Sequence, residues 1–228
     1  MTQELKKSIR IAMPYPMSHL YISETLLKRL RIDNISQYYL GSLAPDAVHF
    51  RKDHNRDQKR ISHLYENLER ENLDDYINNW KSNVEKFFIS HNSKEIYEFI
   101  LGYCVHLMAD IYNYKYIWTP FKLKFGREND KIYQNECLTV DFEICQKENY
   151  KAKLFPVLEQ SKELDFFDLI TQEELTGLKN NIINVQYENK EAVDNSRNKF
   201  ITCEKMKEHN NDIVKYIAEE FSVLSESK

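Results

Sequence analysis

Residues 96–111 read IYEFILGYCVHLMADI. Ile96, Phe99, Ile100, Tyr103, Leu107 and Ile111 recur at the three- and four-residue spacing of a helix, and most of the remaining circumference is apolar as well. A helix apolar nearly all round is a central one, so this stretch predicts a helix at the core. Two polar residues interrupt it, His106 and Asp110, four apart and therefore on one face, together with Phe99 and Tyr103. Outward from this segment the helical period continues. Leu73, Tyr76, Ile77, Trp80, Val84, Phe87 and Phe88 mark a helix before it. Thr171 followed by Glu174 has the form of a capping box that opens a helix through Leu175, Leu178 and Ile182. Ile213, Tyr216, Ile217, Phe221 and Leu224 mark the last helix. Four glycines in 228 residues are too few for the tight turns of a β-sandwich or a doubly wound sheet. The expectation is an all-α fold, one compact multi-helix domain over 1–228, since neither a Pro/Gly/Ser linker nor a repeat divides the chain. Gly126 to Asp130 reads as a loop, and Ala44 to Lys59 as a longer irregular loop.

Composition excludes several classes. The net charge is −4 and neither half is strongly basic, so no sequence-specific nucleic-acid footprint is expected. No run of about 18 apolar residues offers a membrane span. MTQELKKSIR at the start leads into a segment broken by Pro14 and Pro16 rather than a signal-peptide core, which places the protein in the cytoplasm as an expectation. Cys104, Cys137, Cys145 and Cys203 show no CxxC spacing and read as reduced, mostly buried thiols. The sequence carries no mark of oligomeric state.

The chemistry gathers around His106 and Asp110. A buried ionised aspartate costs several kcal/mol unless it is paired. A hydrogen bond to His106 would meet part of that cost, and a divalent cation would meet more of it. His19, Asp46 and His63 add further nitrogen and oxygen donors, and three of the seven histidines (His19, His63, His106) stand among apolar residues on predicted helices. Such a set suits zinc or a similar ion. His49, three residues past Asp46, is a further candidate ligand. His54, His91 and His209 stand among polar residues and read as solvated. Asp46 is the candidate catalytic base as well as a ligand, because its predicted loop is open to water. Arg51, Lys52, Lys59 and Arg60 flank that loop and could hold a substrate phosphate, Arg51 and Lys59 foremost. A helical HD-type phosphohydrolase would need an adjacent His-Asp dipeptide, and the chain has none.

MSHLYISETLL (17–27), YLGSLAPDAVHFR (39–51), KRISHL (59–64) and FILGYCVHLMADIYNYKYIWTPF (99–121) resemble the bacterial zinc-dependent phospholipase C-like proteins, which share an all-helical fold with single-strand-specific zinc nucleases. The resemblance implies that Asp46, His63, His106 and Asp110 bind one metal, and that His19 binds a second with Asp110 bridging. Two features depart from the family's three-zinc pattern. The N-terminal Trp ligand of the secreted members is absent ahead of His19, a gap His49 could fill. No histidine lies between His106 and His209, so only Glu136 and Asp141 offer themselves for a third ion. One or two zinc-type ions are therefore expected. The implied activity is hydrolysis of a phosphoester, either a small soluble one or a phospholipid. The alternative is a metal-binding helical protein without turnover.

Overall fold

The computed structural model describes residues 15–68, 72–91, 93–188 and 195–226. Its elements are α1 (Pro16–Leu26), α2 (Ile35–Leu43), a 3-10 segment (Ala44–Phe50), α3 (Arg56–Ser62), α4 (Leu73–His91) and α5 (Tyr97–Tyr112). A π-helical segment (Asn113–Trp118), α6 (Thr119–Phe125), a 3-10 turn (Arg127–Asn129) and α7 (Asp130–Lys147) follow. The chain then forms α8 (Tyr150–Lys153), α9 (Phe155–Glu159), α10 (Gln172–Asn181), a second π segment (Ile182–Gln186) and α11 (Cys203–Glu226). The all-α expectation holds. The described residues contain no strand, only an isolated bridge between Phe166 and Ile170.

The central helix is where periodicity placed it. Every residue of α5 from Phe99 to Ile111 is buried. Each large apolar side chain there contributes about 1.5–3 kcal/mol on leaving water. The helix packs on α2, α4, α1 and α11. Its approach to α2 depends on two glycines. A Cβ on Gly41 would lie 2.0 Å from the carbonyl oxygen of Phe99, and one on Gly102 would lie 2.1 Å from that of Tyr38. No side chain fits at this crossing, and the two backbones touch directly.

Side chains fix the helix starts. Asn34 accepts from the Gln37 amide to cap α2. Asn55 and Gln58 form a capping box on α3, and Thr171 and Glu174 form the expected one on α10. The start of α1 is capped from far along the chain: Asp141 Oδ1 accepts from the amides of Met17 and Ser18 at 3.1 and 3.2 Å.

The expectation of an irregular loop over Ala44–Lys59 needs correction. Ala44–Phe50 is a 3-10 helix with Pro45 in its first turn, and α3 already begins at Arg56, leaving only 51–55 as a connection. The 3-10 period of three hides from a search for 3.6-residue spacing. Gly126 turns the chain at φ +77°, after which Arg127–Asn129 closes a short 3-10 turn rather than a loop. All four cysteines are free and buried, as expected.

Candidate metal centre

Five of the predicted residues converge. His19 comes from α1, Asp46 from the 3-10 segment, His63 from the C-cap of α3, and His106 and Asp110 from α5. None is more than 6% exposed. His63 Nε2 lies 3.4 Å from Asp46 Oδ1 and 3.5 Å from Asp110 Oδ2. His106 Nε2 and His19 Nε2 each lie 3.8 Å from an oxygen of Asp110. The rings of His19 and His106 stack with centroids 3.7 Å apart.

These separations are too long for hydrogen bonds. They suit donor atoms arranged around an ion. Zinc bonds of about 2.0–2.2 Å in a tetrahedron put neighbouring ligand atoms about 3.4 Å apart. Two triads keep their donor atoms within 4.8 Å of one another, His19–His106–Asp110 and Asp46–His63–His106. The strongest sign of a fit is what the donors lack. His19 Nδ1 and Nε2, His63 Nε2, His106 Nε2 and Asp110 Oδ1 are all buried without a hydrogen-bond partner. Orphaned buried polar atoms are costly and rare; the two nitrogens of His19 face opposite ways, so the cluster offers one orphaned atom from each of four residues to a common partner.

The neighbouring shell points these donors inward. His106 Nδ1 donates to the carbonyl oxygen of Ser42 at 2.9 Å, which leaves the lone pair on Nε2. The α2–α5 crossing at Gly41 and Gly102 brings that carbonyl within reach. His63 Nδ1 pairs with Ser62 Oγ at 2.9 Å, again leaving Nε2 free. Trp80 Nε1 donates to the His63 carbonyl oxygen at 2.6 Å, and the Tyr103 hydroxyl donates to that of Ser62 at 2.5 Å.

Burial sets the protonation states. It lowers the pKa of His63 to about 3, with the Lys59 ammonium adding to the effect. It lowers His106 to about 4 and His19 well below the ordinary range. All three are neutral at pH 7, as metal ligands must be. The His–Asp contacts are therefore not ion pairs. Burial also raises Asp110 well above the ordinary carboxylate range. Asp46 goes the other way. Burial opposes its charge, but Lys59, His49 and His63 outweigh that and hold it well below the ordinary range.

Lys59 is the unexpected member. Its Nζ lies 3.0 Å from Asp46 Oδ1 and the side chain is almost wholly buried. The sequence reading offered Lys59 to a substrate phosphate and did not pair it with Asp46, yet its i, i+4 spacing to His63 was the sign that it shares the inner face. Nothing in the sequence marked Ser42, Tyr103 or Trp80 as supports, because their roles depend on how the helices cross.

The other candidates lie elsewhere or are already engaged. His49 meets the cluster only through Asp46, with Nε2 3.5 Å from Oδ1, while its Nδ1 faces His54 Nε2 at 3.2 Å. His54 is exposed as expected, but paired. Arg51 is not free for a phosphate: its Nε and Nη2 bind Glu174 at 2.5 and 3.1 Å, and Nη2 also binds the Leu169 carbonyl oxygen. Arg60 donates to the Glu66 carbonyl oxygen. Glu136 and Asp141, named as the possible ligands for a third ion, serve the backbone. Glu136 accepts from the amides of Lys199, Phe200 and Ile201. Asp141 caps α1 and accepts from the Tyr187 hydroxyl at 2.5 Å. Asp46 sits on a buried 3-10 turn, not on the water-exposed loop that first suggested it as a base.

Comparison with known proteins leads to the same cluster. No curated protein and no solved structure matches the chain. One family model does, that of zinc dependent phospholipase C, over residues 18–112. That stretch begins one residue before His19 and ends two past Asp110, enclosing all five converging residues, and over it the chain is similar to the zinc-dependent phospholipase C family.

Proposed function

We propose that the protein is a metal-dependent phosphoester hydrolase with one zinc-type ion in the buried cluster. The observation that carries this is the set of orphaned donors on His19, His63, His106 and Asp110 within the family-matched segment. The two triads share His106, whose Nδ1 is already committed to Ser42. Its single remaining lone pair serves one ion, so both triads cannot be filled through it at once. Charge leads to the same count. With neutral histidines and Lys59 on Asp46, one dication suffices, whereas two would leave the cavity strongly positive. Asp46, His63 and His106 are the preferred triad, with Asp110 beside it. A bound ion of this type lowers the pKa of water toward neutrality and polarises a phosphoryl oxygen.

The chain's own residues supply the rest. Asp46, kept ionised, offers the ion a carboxylate oxygen, and Asp110, whose affinity for a proton burial raises, is the candidate acceptor for a proton from the attacking water. Lys59 anchors Asp46 and places a cation beside the site for an anionic substrate oxygen. The substrate class is a phosphodiester, a phospholipid headgroup ester or a small soluble analogue.

The test is metal content by elemental analysis, together with turnover of bis(p-nitrophenyl) phosphate and p-nitrophenylphosphorylcholine. One equivalent of zinc, with activity lost to a chelator and restored by metal, is the expected result. Metal without turnover would favour the second reading, a metal-binding helical protein, for which the buried Lys59–Asp46 pair is the supporting observation. No metal after reconstitution would remove both.

A further inference from the structure

The helical run that carries His106 and Asp110 continues through Asn113–Trp118 into α6 and the turn at Gly126. Nine large apolar side chains are exposed among the described residues, and four of them, Tyr116, Leu123, Phe125 and Ile132, fall within 116–132. Leu123 is the most exposed of all, at 84%. Single exposed leucines need no explanation, but this concentration does. The same stretch, 115–132, carries five basic residues against two acidic ones in a chain whose net charge is −4. Lys147, Lys179 and Lys207 each pair with a carboxylate. Lys124, Arg127 and Lys131 have no ion-pair partner among the described residues, and the Lys124 ammonium lies over the Phe125 ring.

The segment is held from beneath. Phe121 is buried, stacks on Tyr133 and Trp118, and meets Phe200 edge-on. Leu123 is thereby held at the surface between Lys122 and Lys124, and Phe125 follows Lys124. Beside them a cleft of about 310 Å³ opens, lined by Tyr76, Tyr114, Lys122, Leu123 and Arg127.

We infer that the 115–132 face docks on a bilayer surface carrying anionic headgroups. Apolar tips flanked by lysines and backed by Trp and Tyr are the composition of an interfacial anchor: the tips enter the acyl boundary while the cations stay among the headgroups. A second copy of the chain fits less well, since a twofold contact would set this basic face against itself. No helix among the described residues is long and apolar enough to cross a membrane, so the contact is peripheral. The inference rests on the phosphoester reading only for its purpose, bringing a lipid phosphoester to the metal cluster.

The test is vesicle co-sedimentation of the full chain with the metal chelated, so that a failed hydrolase reading and a failed docking reading are seen separately. Vesicles of phosphatidylcholine alone and of phosphatidylcholine with phosphatidylglycerol are compared. Leu123→Ser/Phe125→Ser and Lys124→Ser/Arg127→Ser/Lys131→Ser change only exposed side chains, and Ile89→Ser, also exposed, is the control. Binding to the anionic vesicles that weakens with salt, falls about tenfold or more in both multiple variants and persists in Ile89→Ser is expected. No binding, or equal binding by all variants, overturns the inference. So does a dimer that Leu123→Ser disperses while vesicles bind nothing.

Discussion

The Nδ1–H of His106 donates to the carbonyl oxygen of Ser42 at 2.9 Å, across a helix crossing that only glycine permits. Fold and site therefore share one constraint. The contact that lets α5 sit against α2 is also the one that turns Nε2 of His106 toward the cavity.

Gly102→Ala tests that link. The added methyl would meet backbone atoms of Tyr38 and Ser42, which have no flexible end to yield. Overpacking of this kind costs about 1–3 kcal/mol, and contact with backbone sets the expectation at the upper end. Thermal unfolding should show the loss. Zinc content should fall with it, because Ser42 is displaced. A stable variant with full zinc content would separate crossing from site.

His106→Ala and Asp110→Ala should lose bound metal, with affinity down by about 100-fold or more. His209→Ala, on α11 and outside both triads, should keep it. Equilibrium dialysis against zinc reads all three. Full metal content in the first two would place the ion elsewhere.

Lys59→Met should move two quantities in opposite directions. In the metal-free protein it leaves Asp46 buried without its cation, at a cost of about 3–5 kcal/mol. In the metal-loaded protein it removes a repelling charge, so zinc should bind more tightly. Metal-free unfolding and zinc titration give the two signs. If both fall together, Lys59 is simply part of the packing.

The pH dependence of the metal-free protein should differ between wild type and His63→Gln. Burial holds His63 at about 3 in the folded state, while in the unfolded chain it titrates near 6.5. Below pH 6.5 the unfolded state binds the proton and the folded state does not, so stability is lost as pH falls, down to about pH 3. Glutamine has no such linkage. The wild type should therefore lose about 1.4 kcal/mol per pH unit relative to His63→Gln through this window. Parallel denaturation midpoints from pH 6.5 to 4 would show that His63 is protonated in the folded state.

The sequence revealed the cluster residues more readily than their supports. His106 and Asp110 stood out because two polar groups interrupt thirteen consecutive buried positions of α5 on one face. The Thr171–Glu174 box was legible because capping is local. Asp141 could be named only as a possible ligand for a third ion, because its oxygens are used by amides 123 and 124 residues away, which no local pattern encodes. Arg51 was offered to a substrate phosphate without sight of its partner Glu174, which lies 123 residues on. Gly41 and Gly102 could be counted among four glycines, but not paired, until two helices were seen to cross.

The depth of the five donors also bears on time. An ion surrounded by groups no more than 6% exposed leaves only when the cluster opens, the same opening that must admit a substrate. Release to a chelator is then paced by that opening rather than by the chelator's strength, so the rate should level off as chelator concentration rises. Loading should show the same plateau. The protein would hold its ion as kinetic cargo, exchanging it on the schedule of its own breathing.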